Sequence, residues 1–361
     1  MTRMFIKSFE YEDLRTGWKL ERTEFDAFNL LVGNSGVGKT KILRALTTIA
    51  ELAFASAGTL AAEWNLEFDH TDGAYVWSGR VEQIKPGPHD FTSATIVHES
   101  LQCGPEKLFT RSQDATSFQG LPIPSLSNDL SGPRLLSGQR RIQPILQGLR
   151  RLLFSSEIPP QPLRTRRLLD QLGIPSSQGQ PVHALEAGWL VSRALPEQWV
   201  KIESAFRNIF PSVEDVAIEA TSEGDETVLE LKLRESSAKE VISHEDVASG
   251  MRRTLGHLIE LVTAPHSSVI LIDEFENSLG ANCMPDVVRL LHSRPDLQFI
   301  ITSHHPYVIN NIPKDTWKLV QRKGSNVRVT SARDIPALQD ASHHQAYLRL
   351  VNLPEFEEGI A

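Results

Sequence analysis

The sequence predicts an α/β protein with one mixed sheet, an antiparallel β layer and an inserted helical lobe. Three observations predict this class. Short apolar runs alternate with helical patterns near both ends of the chain, which is typical of a parallel sheet assembled from two distant segments. Residues 64–101 change to short alternating segments separated by turn signals, which indicates an antiparallel layer. Residues 139–210 show mainly helical patterns.

The elements before residue 60 follow from hydrophobic spacing. Segments 4–11 and 18–25 predict strands, and the apolar run 28–32 predicts a buried central strand. A helix is predicted over 39–56, because its apolar residues recur at helical spacing until Gly58 ends it.

The remaining elements alternate in the same way. Gly, Pro and Ser residues are frequent in 104–134, which predicts a long loop. The later patterns predict a hairpin of strands at 213–220 and 227–234, a helix at 250–263, a strand at 268–272, a helix at 285–291 and a strand at 298–302. We therefore expect three segments: an N-terminal half of the core, a helical lobe and a C-terminal half, at 1–134, 135–212 and 213–361.

Composition limits the classes of protein. The 361 residues are 40% hydrophobic and 23% charged, which excludes a disordered or fibrous chain. The net charge of −8 argues against a protein that coats nucleic acid indiscriminately. Cys103 and Cys283 lack the spacing of a disulfide framework or a zinc site. No stretch approaches the ~18 apolar residues of a membrane span, and residues 1–10 carry charges, so we expect a cytoplasmic protein.

The strongest motif follows the predicted central strand and opens a helix. It is the complete G-x-x-x-x-G-K-[ST] pattern, made of Gly33, Asn34, Ser35, Gly36, Val37, Gly38, Lys39 and Thr40. Glycines let the backbone wrap tightly, so that its N–H groups and the helix N-terminus converge on phosphate oxygens. We expect Lys39 to reach the β- and γ-phosphates of a nucleotide and the Thr40 hydroxyl to hold Mg²⁺. Residues 33–40 are called the phosphate loop below.

A pair of acids follows a second buried strand. The apolar residues 269–272 run directly into Asp273 and Glu274, at the strand end where α/β sheets bind ligands. One acid can coordinate Mg²⁺ while the next orients or deprotonates a water that attacks the γ-phosphorus. We assign Asp273 to the metal and Glu274 to the water.

Two further motifs flank these acids. The strand predicted at 298–302 is followed by His304, which we expect to contact the γ-phosphate. The pair Ser249-Gly250 opens the helix that precedes the acid-bearing strand, and Gly250 comes 23 positions before Asp273.

Taken in order, these four motifs resemble the Walker A, signature, Walker B and switch-histidine elements of ABC-type ATPases. Within that superfamily, residues 273–279 resemble the "DEIENSLH" stretch, and residues 302–306 resemble the "TTHSP" stretch, of the soluble RecF/SMC/overcoming-lysogenisation-defect group. The resemblance implies a P-loop NTPase of the ABC ATPase type that binds ATP and Mg²⁺. It covers residues 1–60 and 240–312 by motif, and the middle of the chain by architecture.

The family also implies partners. ATP is held between two subunits, with the signature of one facing the phosphate loop of the other, so a homodimer or higher homo-oligomer is expected. Stand-alone ATPases of this group often serve in bacterial anti-phage defence, which implies that hydrolysis regulates a separate effector such as a nuclease. We see no nuclease motif in this chain.

The sequence departs from the family pattern at three points. Ala248 occupies the place of the usual signature serine, and Ser249 stands one position later. Gly280 replaces the histidine or aspartate that usually follows Leu279. The Q-loop glutamine is left open among Gln113, Gln119, Gln139 and Gln143.

An arginine cluster leaves a second function open. Residues 134–167 contain one acid, Glu157, and eight arginines: Arg134, Arg140, Arg141, Arg150, Arg151, Arg164, Arg166 and Arg167. With a helix predicted over 139–154, the cluster is either a basic face for nucleic acid or an acidic partner, or a solvated face. The alternatives to an effector-regulating ATPase are therefore a RecF-like repair ATPase that binds DNA directly and, less favoured, the nucleotide-binding subunit of a transporter.

Overall fold

A computed structural model describes residues 4–84, 93–124, 127–155, 157–165, 183–280, 283–339 and 343–352. In these ranges the strands are β1 (Phe5–Asp13), β2 (Trp18–Glu24), β3 (Phe28–Val32), β4 (Ala62–His70), β5 (Gly73–Ile84), β6 (Ser93–Cys103), β7 (Glu106–Arg111), β8 (Thr116–Phe118), β9 (Leu121–Pro122), β10 (Leu152–Phe154), β11 (Leu163–Thr165), β12 (Val213–Glu223), β13 (Glu226–Glu235), β14 (Val269–Ile272), β15 (Gln298–Thr302), β16 (Trp317–Lys323) and β17 (Asn326–Ser331).

The α-helices in the same ranges are α1 (Lys39–Leu52), α2 (Gly132–Leu135), α3 (Gln143–Leu149), α4 (Ala184–Ala194), α5 (Pro196–Ile209), α6 (Ser249–Thr263), α7 (Met284–His292), α8 (Pro306–Asn311), α9 (Pro336–Gln339) and α10 (His343–Val351). Among these helices, none combines the length and the apolar character that a crossing of the bilayer requires.

The chain divides into two compact units, each built from separate stretches of sequence. The first consists of Met1–Leu153, His266–Glu274 and Asp296–Ala361, and the second of Phe154–Pro265 and Phe275–Pro295. The three sequence segments expected above, with boundaries at 134 and 212, stay a prediction.

The first unit contains a 14-stranded mixed sheet, so the predicted α/β class with an antiparallel layer is confirmed. Its strand order is β10-β14-β15-β3-β16-β17-β2-β1-β4-β5-β6-β7-β8-β9. Strands β14, β15, β3 and β16 are parallel neighbours, and the pairs along β2-β1-β4-β5-β6 are antiparallel. The parallel part is buried and apolar, as expected for strands whose two faces are covered.

Helix α1 is shorter than predicted. Its inward side buries the apolar residues of the expected helical stripe, but the helix ends at Leu52 rather than at residue 56. The reason is non-local: Ser56 pairs with Leu130 as an antiparallel bridge, and the Ala57 N–H bonds to the Asp129 carbonyl, which requires extended backbone. The Ser131 hydroxyl bonds to the Leu52 carbonyl at 2.8 Å and satisfies the helix end.

The prediction of a long loop over residues 104–134 is wrong. Strands β7, β8 and β9 continue the antiparallel layer there, and the short helix α2 follows. Leu108 and Phe109 bury their side chains in β7, and that burial outweighs the turn-forming composition of the surrounding residues.

The predicted extent of the helix over residues 139–154 is also wrong. Helix α3 covers only Gln143–Leu149, with Pro144 in its first turn, and residues 152–154 join the sheet as β10. The arginines therefore do not share one helix face. Arg166 and Arg167 lie outside the described residues.

The second unit combines helices α4–α7 with a three-stranded sheet of order β11-β13-β12. The predicted hairpin is confirmed as β12 and β13, which pair from Val213↔Glu235 to Glu223↔Glu226. Apolar residues of α4, α5, α6 and this hairpin form one core, which includes Phe206, Leu231 and Leu258. Helix α6, which carries Ser249 and Gly250 at its start, is thus anchored by the burial of residues 253–259.

Candidate functional site

The phosphate loop connects β3 to α1 and has a backbone that only glycine adopts easily. Gly33, Gly36 and Gly38 have φ values of 146°, 84° and 111°. A Cβ atom on Gly33 would lie 2.6 Å from the Val320 carbonyl oxygen, and one on Gly38 would lie 3.2 Å from Nε1 of Trp18. Neighbouring strands therefore enclose the loop from outside, which leaves no room for side chains at these two positions.

Lysine 39 and the start of α1 supply positive charge on the inner side of the loop. The Lys39 ammonium donates to the carbonyl oxygens of Gly33 at 2.6 Å and of Asn34 at 2.9 Å. The N-cap of α1 is Gly38, which has no side chain to cover the N–H groups of the first turn, and that turn contains no acid. These N–H groups and the helix dipole favour an anion at this end.

Threonine 40 meets Asp273 at the sheet edge. The Thr40 hydroxyl donates to Oδ1 of Asp273 at 3.0 Å, and the Thr302 hydroxyl donates to the same oxygen at 2.7 Å. Parallel pairing of β14, β15 and β3 explains the meeting, because the carboxyl ends of all three strands lie at one edge. The structure thus brings together two residues that the sequence assigned to one metal ion.

Glutamate 274 and His304 lie beyond the same strand ends, and both are exposed. The Glu274 N–H donates to the Thr302 hydroxyl at 2.7 Å. Glu274 has a φ of 44°, a left-handed conformation that is uncommon for a residue with a side chain. Such strain persists only where the surroundings fix the backbone, and it tends to occur at functional sites.

Serine 249 and Gly250 lie in the second unit, at the first turn of α6. A Cβ atom on Gly250 would lie 3.0 Å from the Ser278 carbonyl oxygen and 3.5 Å from the Gly280 nitrogen. Because Ser278 follows the two acids closely in sequence, the signature pair and the segment after Glu274 form one continuous surface on this unit. Ser278 has a φ of 63°, again left-handed.

Polar side chains buried along α6 connect it to both neighbouring segments of the second unit. Arg253 pairs with Glu157 at 3.1 Å, and Asn277 donates to Glu157 at 3.5 Å. His257 lies stacked on Phe275, with ring centroids 5.5 Å apart. Burial lowers the pKa of His257, which favours the neutral form of the stacked ring.

Two residues near the phosphate loop were missed by sequence reasoning. Thr302 was noted only as part of a motif, although its hydroxyl orients Asp273 and receives the Glu274 N–H. Arg322, at the end of β16, donates from Nη1 to the Gly36 carbonyl at 3.2 Å. The position of Thr302 at the end of a parallel strand could have indicated its role, whereas no sequence signal marks Arg322.

Comparison with known proteins gives one family and several solved structures. Residues 107–310, more than half of the chain, match the family model AAA_21, described as "AAA domain, putative AbiEii toxin, Type IV TA system". No curated protein matches this sequence.

The chain is also similar to an SmcHead bound to the C-winged helix domain of ScpA, with a TM-score of 0.50 and 15% identity over 91% of this chain and 98% of that one. For an SMC head domain from Thermotoga maritima, the TM-score is 0.44 and the sequence identity is 12%, over 90% of this chain and 98% of that one. The chain is similar as well to an Smc head domain with an extended coiled coil, bound to the C-terminal domain of ScpA derived from Pyrococcus furiosus. Here the TM-score is 0.47 and the sequence identity is 15%, over 91% of this chain and 96% of that one. At these identities the likeness concerns the fold.

Proposed function

This chain belongs to the AAA_21 family and is a P-loop ATPase, and we propose that two copies of it close around Mg²⁺-bound ATP to regulate a separate effector. The observation that carries the proposal is the junction of the phosphate loop with the acid-bearing strand, where Thr40 contacts Asp273. The fold shared with SMC heads supports the ATPase assignment.

The nucleotide site is proposed to be built by the first unit. Backbone N–H groups of residues 33–40 and the α1 N-terminus would surround the phosphates, and Lys39 would neutralise the β- and γ-phosphates. A hydroxyl and a carboxylate oxygen, from Thr40 and Asp273, are the hard ligands that Mg²⁺ prefers. Within the described ranges no group of three or more His, Cys, Asp or Glu side chains could hold a metal alone. Thr40 and Asp273 fit a Mg²⁺ ion that is also bound by phosphate oxygens and water, because Mg²⁺ usually keeps such ligands beside one or two protein groups.

Hydrolysis is proposed to use the residues at the strand ends. Mg²⁺, when bound, would neutralise charge that develops on the phosphate oxygens. Glu274, exposed and fixed in a left-handed conformation, would orient a water for attack on the γ-phosphorus and accept its proton. His304 would contact the γ-phosphate from the neighbouring strand end. The Thr302 hydroxyl would fix the position of the Asp273 carboxylate relative to the Glu274 backbone, because it is hydrogen-bonded to both.

Dimerisation is proposed because the signature pair belongs to a different unit from the phosphate loop. Ser249 and Gly250 lie against the Ser278–Gly280 backbone, so they offer a compact surface of small residues and N–H groups. This surface would complete the nucleotide site of the partner copy, as in the ABC-type ATPases that the motifs resemble. Ser249 would take the place of the serine that Ala248 replaces.

The effector is proposed to be a separate protein, and a nuclease in an anti-phage system is the candidate from the resemblance. The matched SmcHead is bound to a domain of ScpA, which shows that a head of this fold carries a protein partner in that case. The family description includes a toxin of a TA system, which fits an ATPase that restrains or releases a harmful activity.

The competing proposal, direct DNA binding through the arginine cluster, has less support. Arg141 pairs with Glu106, and Arg164 pairs with Glu223. Arg150 lies over the Phe54 ring, and Arg151 donates to the His266 carbonyl. Four of the described arginines therefore have partners within the protein, which favours the solvated-face interpretation of the cluster.

The test of the dimer uses Glu274→Gln, with Glu51→Gln as the matched control on the exposed side of α1. We expect Glu274→Gln to bind ATP with wild-type affinity, to hydrolyse it at least a hundredfold more slowly, and to form a stable dimer in ATP by light scattering. The control should turn over normally and should not accumulate a dimer. A Glu274→Gln protein that stays monomeric at saturating Mg-ATP would refute the proposal.

A further inference from the structure

The hairpin of β16 and β17 runs along the outer side of the phosphate loop. Strand β16 pairs with β3 as far as Leu319↔Val32. Beyond this pair, the Val320 carbonyl lies against Gly33. The Arg322 guanidinium reaches the tip of the loop, where Nη1 donates to the Gly36 carbonyl at 3.2 Å and Nε donates to the Gly324 carbonyl at 2.7 Å.

This contact controls more than one atom, because a trans peptide is planar. The carbonyl of Gly36 and the N–H of Val37 belong to one peptide unit and point in opposite directions. A donor that holds the Gly36 carbonyl outward therefore holds the Val37 N–H inward, toward the space that the loop surrounds. Anion binding by such a loop depends on converging N–H groups.

The peptide needs an external restraint. Gly36 has a φ of 84°, and no atom of the described residues beyond its chain neighbours lies within 4 Å of the position that a Cβ would take. Glycine has wide conformational freedom, so this peptide can rotate at low cost. Arg322 is itself held at two points, on Gly36 and on the hairpin turn at Gly324, and that turn is bonded through the Ser325 carbonyl to the Lys19 N–H at 2.9 Å.

We propose that Arg322 is a positioning residue of the nucleotide site, which orients the Gly36–Val37 peptide so that its N–H faces the nucleotide phosphates. This inference rests on the proposed nucleotide site. We expect the loss of Arg322 to weaken the affinity for both ATP and ADP, because the phosphates of either nucleotide would accept a hydrogen bond from the oriented N–H. The exposed guanidinium contributes little to overall stability, since exposed hydrogen bonds are weak.

The experiment compares Arg322→Ala and Arg322→Lys with Arg328→Ala. Arg328 lies on the same hairpin and loses the same charge, but it contacts Glu21 at 4.0 Å instead of the loop. ATP and ADP dissociation constants are measured by calorimetry, kcat and KM by steady-state hydrolysis, and Tm without nucleotide.

For Arg322→Ala we expect both dissociation constants and KM to rise about five- to tenfold, with kcat within about twofold of wild type and Tm unchanged. Arg322→Lys should remain close to Arg322→Ala, because a single ammonium cannot link the two carbonyls as a planar guanidinium does. Arg328→Ala should behave as wild type.

Three results would overturn the inference: wild-type affinity in Arg322→Ala, full recovery in Arg322→Lys, or an equal loss in Arg328→Ala, since the last two indicate charge alone. If Arg322→Ala melts earlier than wild type, Arg322→Lys, which keeps the side-chain stem, decides the outcome. Failure of the wild-type protein to bind ATP would refute the nucleotide site itself, whereas wild-type binding that Lys39→Ala abolishes and Arg322→Ala leaves intact would refute only this inference.

Discussion

The Thr40 hydroxyl donates to Oδ1 of Asp273 at 3.0 Å, although 233 positions separate the two residues in the chain. This contact joins the first turn of α1 to the end of β14. It places one hydroxyl and one carboxylate oxygen side by side at the sheet edge, next to the phosphate loop.

Lysine 39 is the first test, through Lys39→Ala. Its ammonium lies at the carbonyls of Gly33 and Asn34, on the inner side of the loop, so its loss should lower ATP affinity at least a hundredfold. Arg44→Ala, on the exposed face of the same helix, removes the same charge and should bind ATP normally. Fluorescence titration with an ATP analogue measures both. Retained affinity in Lys39→Ala would exclude the phosphate-loop assignment.

Glycine 33 is expected to tolerate no side chain. In Gly33→Ala the new methyl group would meet the Val320 carbonyl at 2.6 Å, on a backbone with a φ of 146°. We expect the free energy of unfolding to fall by about 2 kcal/mol and nucleotide binding to be lost. Gly138→Ala is the control, because its Cβ position has open space within 4 Å among the described residues. Urea unfolding checks the pair, and equal stability of the two variants would contradict the prediction.

Threonine 302 is expected to affect turnover through Asp273. Thr302→Val keeps the shape of the buried side chain but removes the hydroxyl that donates to Asp273 and accepts the Glu274 N–H. We expect kcat to fall about tenfold and the Mg²⁺ requirement to rise, which corresponds to roughly 1.4 kcal/mol for two lost hydrogen bonds. Thr302→Ser keeps the hydroxyl and should retain most activity. A normal Mg²⁺ dependence in Thr302→Val would show that Asp273 needs no support.

Glutamate 99 should make stability depend on pH. Its carboxylate is wholly buried in the antiparallel layer, where it accepts hydrogen bonds from the Trp77 indole and the Gly132 N–H. Burial raises the pKa of Glu99 to about 7, although Arg111 lies 4.0 Å away and acts in the opposite direction. Between its ordinary value of 4.5 and about 7, the folded protein therefore holds this proton more tightly than the unfolded chain.

The direction in which stability changes with pH follows from this difference in pKa between the folded and unfolded states. The free energy of unfolding should fall by about 3 kcal/mol as the pH rises from about 4.5 to 7, and this contribution should then stay constant. Glu99→Gln cannot titrate and should lose this slope, whereas Glu51→Gln, on the exposed face of α1, should keep it. Urea unfolding at pH 5 and pH 8 measures the difference between variants, and identical slopes in all three proteins would contradict the assignment.

Local sequence patterns were sufficient to propose the site, whereas the extents of several surrounding elements were predicted wrongly. The phosphate loop and the acids at Asp273 and Glu274 follow from strand ends and spacing, which the chain carries locally. Thr302 and Arg322 act through partners far away in sequence, so only the pairing of β15 and β16 with β3 reveals them.

The errors in secondary structure have the same origin. Helix α1 stops early because residues 56 and 57 pair with residues 129 and 130. Pro144 marks the start of α3, which the amphipathic pattern had placed at residue 139, because proline is favoured in a first turn. Residues 152–154 fit either a helix or a strand, and the neighbouring β14 decides between them.

The position of β3 between β15 and β16 has a consequence for synthesis on the ribosome. The phosphate loop is translated before both strands that flank β3, because β15 and β16 begin 270 and 289 residues after the start of β3. A nascent chain cannot complete the cradle around residues 33–40 until β16 has left the exit tunnel. Until then, the nascent chain holds residues 33–40 without the two strands that flank β3 in the folded sheet.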